Sequence, residues 1–432
     1  MKKHLLLMLC LTLGIIGIGA QDSWGDEEFL VPPPAKTPWL LDWGGTLSPA
    51  ALYEHQNAYD SLVASLGGNL WLRLSLPDQW LVYARIQDNA LFSIMPEAPA
   101  GELFENLWEV NAAYIQSTIP EAGLTLSLGR KSFFLGSGLA LSGYGDGVEF
   151  QLAISSVTLK ALGFYTGFIN PGFSPFSMNS WDDANGARRY FGAYSAGLSL
   201  LGQEISLLGL YQGDFGLDAD MFYTSWYTGL QLKGLVLGGE YLTEWYLEDG
   251  YSPLETGSAS IAAFAGTCRY SYILAMNGSL SISAQYSLAS GDADRLAAQG
   301  SLGNTSGEDT GFQAFGQLAR GFVFRPYFSN IQIASLSLGI NPLASASGSA
   351  RSLHVALKYL YYAKYDKTGL VNTGQAALPS LDLGHGLDLV SRWSPYNDVE
   401  LSLNAGLFLP GNAFPDGEAI RYAISGGLSV LF

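Results

Sequence analysis

Residues 69–76 read NLWLRLSL, and their alternation decides the fold. Leu70, Leu72, Leu74 and Leu76 share one parity; Asn69, Trp71, Arg73 and Ser75 share the other. Successive side chains of a strand point to opposite faces, so this stretch is a strand with one aliphatic face and one polar face. VEFQLAI (148–154) and VELSLNAGLFL (399–409) alternate in the same way, and none of these runs has helical spacing.

Composition says where the aliphatic faces point. Hydrophobic residues make up 48% of the chain and charged residues only 14%, against about 25% charged in an ordinary soluble domain. Glycine (52), tyrosine (24) and tryptophan (10) are abundant. The deficit of charge calls for apolar surface facing something other than water. In lipid every backbone polar group must find an internal partner, so strands can span only as a closed barrel. A soluble sandwich or propeller has the same period but needs charge on its outer faces.

About 18 alternating segments follow, near 43–54, 62–76, 79–88, 107–117, 124–131, 146–154, 157–166, 189–200, 204–213, 221–232, 235–246, 258–273, 279–290, 331–341, 352–364, 381–393, 398–409 and 420–432. Each is long enough for a tilted membrane strand of about 9–11 residues. Short connections (Pro77-Asp78, Ser155-Ser156, 201–203, 394–397) alternate with long ones (89–106, 132–145, 167–188, 291–330, 365–380), as periplasmic turns alternate with outer loops. The connection 55–61 is short for an outer loop, and 342–351 is long for a turn. The expected fold is all-β, a transmembrane antiparallel β-barrel of the outer-membrane type occupying 39–432.

The first twenty residues read as a signal peptide: Lys2, Lys3 and His4, an apolar run Leu5–Ile18, and Ala20 before the cut. That run is short for a spanning helix, which needs roughly 20 residues. Residues 21–38, acidic and then proline-rich, are expected to be a periplasmic tail. Removing Lys2 and Lys3 takes the formal charge from −17 to −19, which argues against nucleic acid as a partner. Cys268 is then the lone cysteine and reads as a small buried or lipid-facing hydrophobe. The last stretch, IRYAISGGLSVLF (420–432), is a phased strand ending on Phe432, the form in which barrels present themselves to their assembly machinery.

With the aliphatic parity facing lipid, the opposite parity lines a lumen. That lumen set is Arg73, Arg85, Lys131, Lys160, Arg189, Lys233, Arg269, Lys358, Lys364, Arg392 and Arg421, with Glu109, Glu149, Glu240, Glu244, Asp382, Asp388 and Glu400. By this count the wall is mildly positive and the exterior strongly acidic. A barrel this wide leaves an aqueous channel, and fixed wall charge biases which ion sign enters. Arg73, Arg85, Arg189, Arg269, Arg392 and Arg421 would form the attractive wall; transverse salt bridges that only stiffen the barrel are the competing explanation. Strict alternation puts Arg130 on the lipid face, from which a bulge at Gly129 would turn it. Loops 167–188 and 291–330 are expected to constrict or cover the mouth; the second, with Gly291, Asp292, Asp294, Gly303, Ser306, Gly307 and Asp309, is the better plug or lid, a composition that also suits plain surface loop. Trp39, Trp43, Trp108, Trp226, Trp245, Tyr190, Tyr194, Tyr359 and Tyr361 are placed at the membrane interfaces; Tyr223 and Tyr227 are the candidates for solute contact.

Three segments resemble the alginate-export family of outer-membrane porins: LGRKSFFLGSG (128–138) running into GDGVEF (145–150), LGHGLDL (383–389), and GLFLPGNAF (406–414). The resemblance implies an 18-stranded monomeric pore with an arginine-rich constriction that passes an anionic polysaccharide or related acid. This chain departs from that pattern at Gly386, where an acid is expected, and at Lys131, where a neutral amide is common. Pore-lining candidates are Arg73, Arg85, Glu109, Arg130, Lys131, Arg189, Glu240, Arg269, Lys358, Asp388, Arg392 and Arg421. The histidines after the leader, His55, His354 and His385, form no metal-spaced cluster with cysteine, and no nucleophile motif is present, so neither cofactor nor enzyme is expected. The expected partners are outer-membrane lipid, the assembly machinery and an anionic or saccharide solute. The alternative reading is a surface adhesin or structural barrel with a plugged lumen; a hydrophobic-ligand transporter would need an N-terminal plug larger than 21–38.

Overall fold

The computed structural model describes residues 39–432, apart from 57–58, 96–103, 170–175, 179–181, 183–184, 216–221, 255–256, 275–278, 296–299, 301–303, 305–306, 317–319, 372–375 and 416. The leader and tail expected over 1–38 lie outside the described residues.

Eighteen strands follow in order: β1 (Leu40–Gln56), β2 (Tyr59–Leu76), β3 (Trp80–Met95), β4 (Phe104–Ile119), β5 (Leu124–Leu135), β6 (Leu141–Ile154), β7 (Val157–Tyr165), β8 (Arg189–Leu200), β9 (Gln203–Asp214), β10 (Thr224–Val236), β11 (Gly239–Leu254), β12 (Gly257–Leu274), β13 (Leu280–Ala289), β14 (Ile331–Ile340), β15 (His354–Lys364), β16 (Asp382–Tyr396), β17 (Val399–Pro410) and β18 (Arg421–Leu431). Each pairs antiparallel with its neighbours in the chain, and β1 also pairs with β18, which closes the barrel. Closure leaves no sheet edge in lipid. Every expected segment is a strand. One turn moves: the gap expected after Leu232 falls instead at Leu237-Gly238, where both residues take positive φ. The connection expected at 55–61 is mostly strand, because β1 and β2 stay paired up to Gln56↔Tyr59. The long turn 342–351 holds a short 3-10 segment (Gly348–Ser352) tied to β16 by Trp393, whose Nε1 donates to the Ser349 carbonyl at 3.1 Å.

The faces are as the alternation requires. Leu70 and Leu72 are exposed, Ser75 is buried, and Trp71 packs inward on Tyr83. All nine aromatic residues expected at the interfaces are outward and exposed, and Cys268 is exposed among them. In the membrane frame the short turns are periplasmic and the long connections extracellular. The chain is therefore a protein of the bacterial outer membrane.

Candidate functional site

The β5–β6 hairpin does not stay in the wall. β4 pairs with β5 only as far as Ala113↔Arg130, and β6 pairs with β7 only from Asp146↔Tyr165 downward. Above that level β5 and β6 continue with each other alone, from Lys131↔Gly145 to Leu135↔Leu141. The pair bends across the lumen until the Ser137 N–H donates to Glu244 Oε2 of β11 at 2.8 Å. Glycines allow the bend: Gly129 sits at φ +128°, and Cβ atoms on Gly143, Gly145 and Gly147 would fall 2.3, 2.2 and 2.1 Å from Phe176, Phe164 and the Gly163 carbonyl.

Arg130 stands at the bend. Its Nη1 pairs with Asp146 at 2.8 Å, its Nε donates to the Val110 carbonyl at 2.6 Å, and only 3% of the residue is exposed. The expectation of a lipid-facing Arg130 is corrected: the strand register is unbroken, but the whole hairpin turns inward at Gly129 and carries its outer parity with it.

The connection 290–330 folds inward too. It adds a parallel bridge beside β12 (Ile261↔Asp309) and another to the hairpin (Leu141↔Phe315), where Ser142 N–H and Phe315 N–H donate to the Phe315 and Ala140 carbonyls at 3.0 Å each. The Gln313 N–H donates to Glu248 Oε2 at 2.8 Å, and the Phe322 N–H to Asp388 Oδ2 at 2.9 Å. Arg325 approaches Glu54 of β1 at 3.9 Å. Phe312 and Phe315 are fully buried, and Phe324 stacks on Phe408 at 4.3 Å. The resulting aromatic cluster packs on walls from β5 to β17 and includes nothing from β1 to β4 or β18. Along β1–β4 the inward face carries polar contacts instead: Arg85 donates to Asn111 at 3.0 Å and to Tyr144 of the hairpin at 2.7 Å, and Asn111 donates to Gln87 at 2.7 Å.

The twelve candidate residues fall into distinct groups. Arg73, Arg85 and Glu109 lie on the β2–β4 part of the wall. Lys131 pairs with Glu149 at 2.9 Å, which also holds Lys160 at 3.2 Å. Arg189 is fully buried, bound to Asp182 at 2.6 Å and Asp214 at 3.0 Å, and it holds the 166–188 connection through the Phe176 carbonyl rather than facing a solute. Arg421 pairs with Glu418 at 2.7 Å and lies over Phe408 and Phe414, again as a structural contact. Asp388 anchors the inward connection. Glu240 is the second residue of β11, at the periplasmic rim. Arg269, Arg392 and Lys358 lie deeper in the periplasmic half, and none has a carboxylate within 4 Å among the described residues.

Two expectations need correction. The wall also carries the lumen-side acids Glu54, Glu204, Asp214 and Glu248, which the parity count passed over, so strand charge alone leaves no basic excess. These acids sit near strand ends or among aromatic residues, where alternation is hard to phase. Tyr223 and Tyr227 are not solute contacts: both are buried, with hydroxyls 2.6 and 2.7 Å from Glu248 Oε1 beneath the inward connection. The 291–330 connection does enter the lumen, as its length and composition led one to expect; the residues missed altogether are Arg320 and Arg325 on it, because nothing local says which of its side chains face inward. Burial pushes the Arg320 guanidinium down to about 10, with Arg325 beside it acting the same way. Burial also lowers Arg325, partly offset by Glu54 and Asp388.

An 18-stranded closed barrel with inward-folded extracellular segments over a polar lumen is the fold of the outer-membrane porins. The family model described as alginate export matches residues 226–422, and over that half-barrel the resemblance to the alginate-export family holds. Two of the three motifs lie inside the match, while the inward hairpin motif lies before it. No curated protein matches the sequence. Among solved structures, OccK2 (OpdF) of Pseudomonas aeruginosa is 12% identical, with 92% of this chain and 100% of that chain covered at a TM-score of 0.58. The same protein in complex with glucuronate is 13% identical over 92% and 99%, at 0.55. OccAB1 of Acinetobacter baumannii is 12% identical over 91% and 97%, at 0.56.

Proposed function

We propose that the chain is a passive outer-membrane channel for hydrophilic anionic solutes of the sugar-acid type, acting as a monomer and without catalysis. The observation that carries this reading is how the lumen charges are engaged. Most acids of the lumen are occupied: Glu149 by two lysines, Asp182 and Asp214 by Arg189, Asp146 by Arg130, Asp309 by Arg295, while Glu109 of β4 has no cation within 4 Å among the described residues. Glu244, Glu248 and Asp388 accept backbone N–H groups. Glu240 and Glu400, each second in its strand, lie at the rim. Arg269 and Arg392 remain deeper in the lumen with no carboxylate within reach among the described residues, and Arg320 adds a half-buried cation from the inward connection. A water-filled tube with low-dielectric walls focuses that charge on a passing carboxylate. The solved relative that carries glucuronate supports a sugar acid as the solute class.

The test is planar-bilayer conductance of the folded protein in a salt gradient, followed by block with uronic-acid oligomers. A reversal potential of anion-selective sign and uronate block support the reading; cation selectivity overturns it. The second reading, a plugged barrel serving as a surface binder, draws on the aromatic cluster that fills the upper lumen. Folded protein that does not conduct would favour it.

A further inference from the structure

Three separate points of the inward-folded backbone are held in one way. Ser137 of the hairpin and Gln313 and Phe322 of the 290–330 connection each give a backbone N–H to a wall carboxylate: Glu244, Glu248 and Asp388, at 2.8, 2.8 and 2.9 Å. The two inward segments are also bonded to each other through Leu141 and Phe315, so they form one body, whose wall contacts include these three acids, the Ile261–Asp309 bridge, and the Tyr227 and Tyr362 hydroxyls on the Gln313 and Phe324 carbonyls.

We infer that Glu244, Glu248 and Asp388 form a proton-operated latch: protonating them releases the inward body and widens the channel. Both oxygens of Glu248 are engaged, Oε2 by Gln313 and Oε1 by the hydroxyls of Tyr223 and Tyr227. A proton on Oε2 meets the Gln313 N–H head on, and a proton on Oε1 displaces a tyrosine donor. Loss of charge also removes the charge-assisted part of each hydrogen bond.

The groups facing each acid allow this. Around Glu248 stand Tyr223, Tyr227 and Ser225, with Arg295 of the connection already held by Asp309 at 2.7 Å. Around Glu244 stand Gln231, which hydrogen-bonds it, and Tyr246 on its own strand, with Thr267 opposite on β12; none is a cation that would keep it ionised. Asp388 faces Lys358 and Tyr362 from β15 and Arg325 from the connection.

The inference rests on the channel reading for its conductance arm, so a second readout is independent of conduction. The triple variant Glu244→Gln, Glu248→Gln, Asp388→Asn holds the neutral state at every pH. Hydrogen exchange at neutral pH, on variant and natural protein at one pH, is expected to rise at least tenfold in the variant at 136–142, 309–316 and 320–324 and to stay unchanged in β1–β4. Conductance of the natural protein is expected to step upward on acidification, with the variant already high and flat across pH. Unchanged exchange in a folded variant, judged by resistance to SDS before heating, overturns the latch. So does a natural protein whose conductance ignores pH. A rise in exchange without any conductance keeps the latch and overturns the channel. A Leu141→Cys, Phe315→Cys pair in a Cys268→Ser background, oxidised, tests whether the two segments move together: they do if the cross-linked protein still opens in acid, and the single-body latch fails if cross-linking abolishes opening.

Discussion

Arg130 and Asp146 face each other across β5 and β6, Nη1 to Oδ2 at 2.8 Å, at the last level where the hairpin still belongs to the wall. Below them the strands pair with β4 and β7; above them they pair only with each other. The ion pair is the hinge pin of the inward fold. Breaking a buried pair by removing one partner leaves an uncompensated charge, about 3–5 kcal/mol where burial is deep. Asp146 is partly exposed, at 19%, so Arg130→Ala is expected at the lower end of that range. The midpoint of urea unfolding in detergent should fall, and Arg130→Ala with Asp146→Ala should recover part of the loss. Additive losses in the double variant would mean the two residues do not act as a pair.

The glycines beneath the hinge make a second prediction. A Cβ on Gly147 would lie 2.1 Å from the Gly163 carbonyl, which is backbone and has little room to yield. Gly147→Ala should cost about 1–3 kcal/mol, the usual scale of overpacking, and lift the hairpin so that conductance rises. Gly426 is the control: nothing lies within 4 Å of its Cβ, and Gly426→Ala should be neutral or stabilise by about 0.4–1 kcal/mol through the unfolded chain.

These residues also show what the sequence could and could not disclose. Period two is a local property, so NLWLRLSL and its seventeen counterparts were legible strand by strand, and closure followed from lipid allowing no edges. The alternation assigns a face to every residue only while the strand stays in the wall. At Gly129 the strand leaves, and parity misplaces Arg130 though its pairing with Ala113 and Asp146 is regular. Tyr223 and Tyr227 point into the lumen as expected, but what lies on them is a connection returning from about 90 residues downstream, as the Tyr227–Gln313 hydrogen bond shows (separation 86). Contacts of that range leave no periodic trace.

Neutralising the deep cations tests the selectivity. Arg269→Gln with Arg392→Gln removes two lumen charges that have no carboxylate within 4 Å among the described residues, so stability should change by less than about 0.5 kcal/mol. The reversal potential in a salt gradient should shift toward zero. The same change at Arg189, which is paired twice and buried, should instead unfold the 166–188 connection.

Arg320 offers a case with a definite pH sign. Its pKa in the fold, about 10, lies below the usual arginine value because burial disfavours the charged form. A cation so depressed opposes folding wherever it is charged, at all pH below about 10, and the opposition fades as pH rises through that value toward the unfolded one. Arg320→Met should therefore raise the unfolding free energy by a similar amount at every pH from 5 to 9, by about 1–2 kcal/mol, the scale of a buried polar group with little compensation. Anion preference should weaken in the same variant, since the destabilising charge is the one offered to the solute. A gain confined to alkaline pH would contradict the sign.

The seam between the first and last strands has an interrupted ladder, for a reason written in one residue. Gly45 and Phe432 exchange both backbone hydrogen bonds, at 2.9 and 3.1 Å. Hydrogen-bonded pairs in an antiparallel ladder recur at every second residue, so Pro49 and Leu428 should form one. Proline has no N–H to give, and the observed register passes from Leu47↔Val430 straight to Ala50↔Gly427. The Leu428 carbonyl lacks its ladder donor in the middle of the seam. Pro49→Ala restores that bond, worth about 0.5–1.5 kcal/mol, but frees the unfolded chain by about 0.4–1 kcal/mol. The two nearly cancel, so global unfolding is the wrong measurement. Hydrogen exchange reads the seam itself: the amides of Ala50 and Ala51, and of Gly426 to Ser429, should exchange several-fold more slowly in Pro49→Ala, while β9 and β10 on the far side remain as they were. Equal slowing on both sides would mean the proline acts on the whole barrel rather than on its closure.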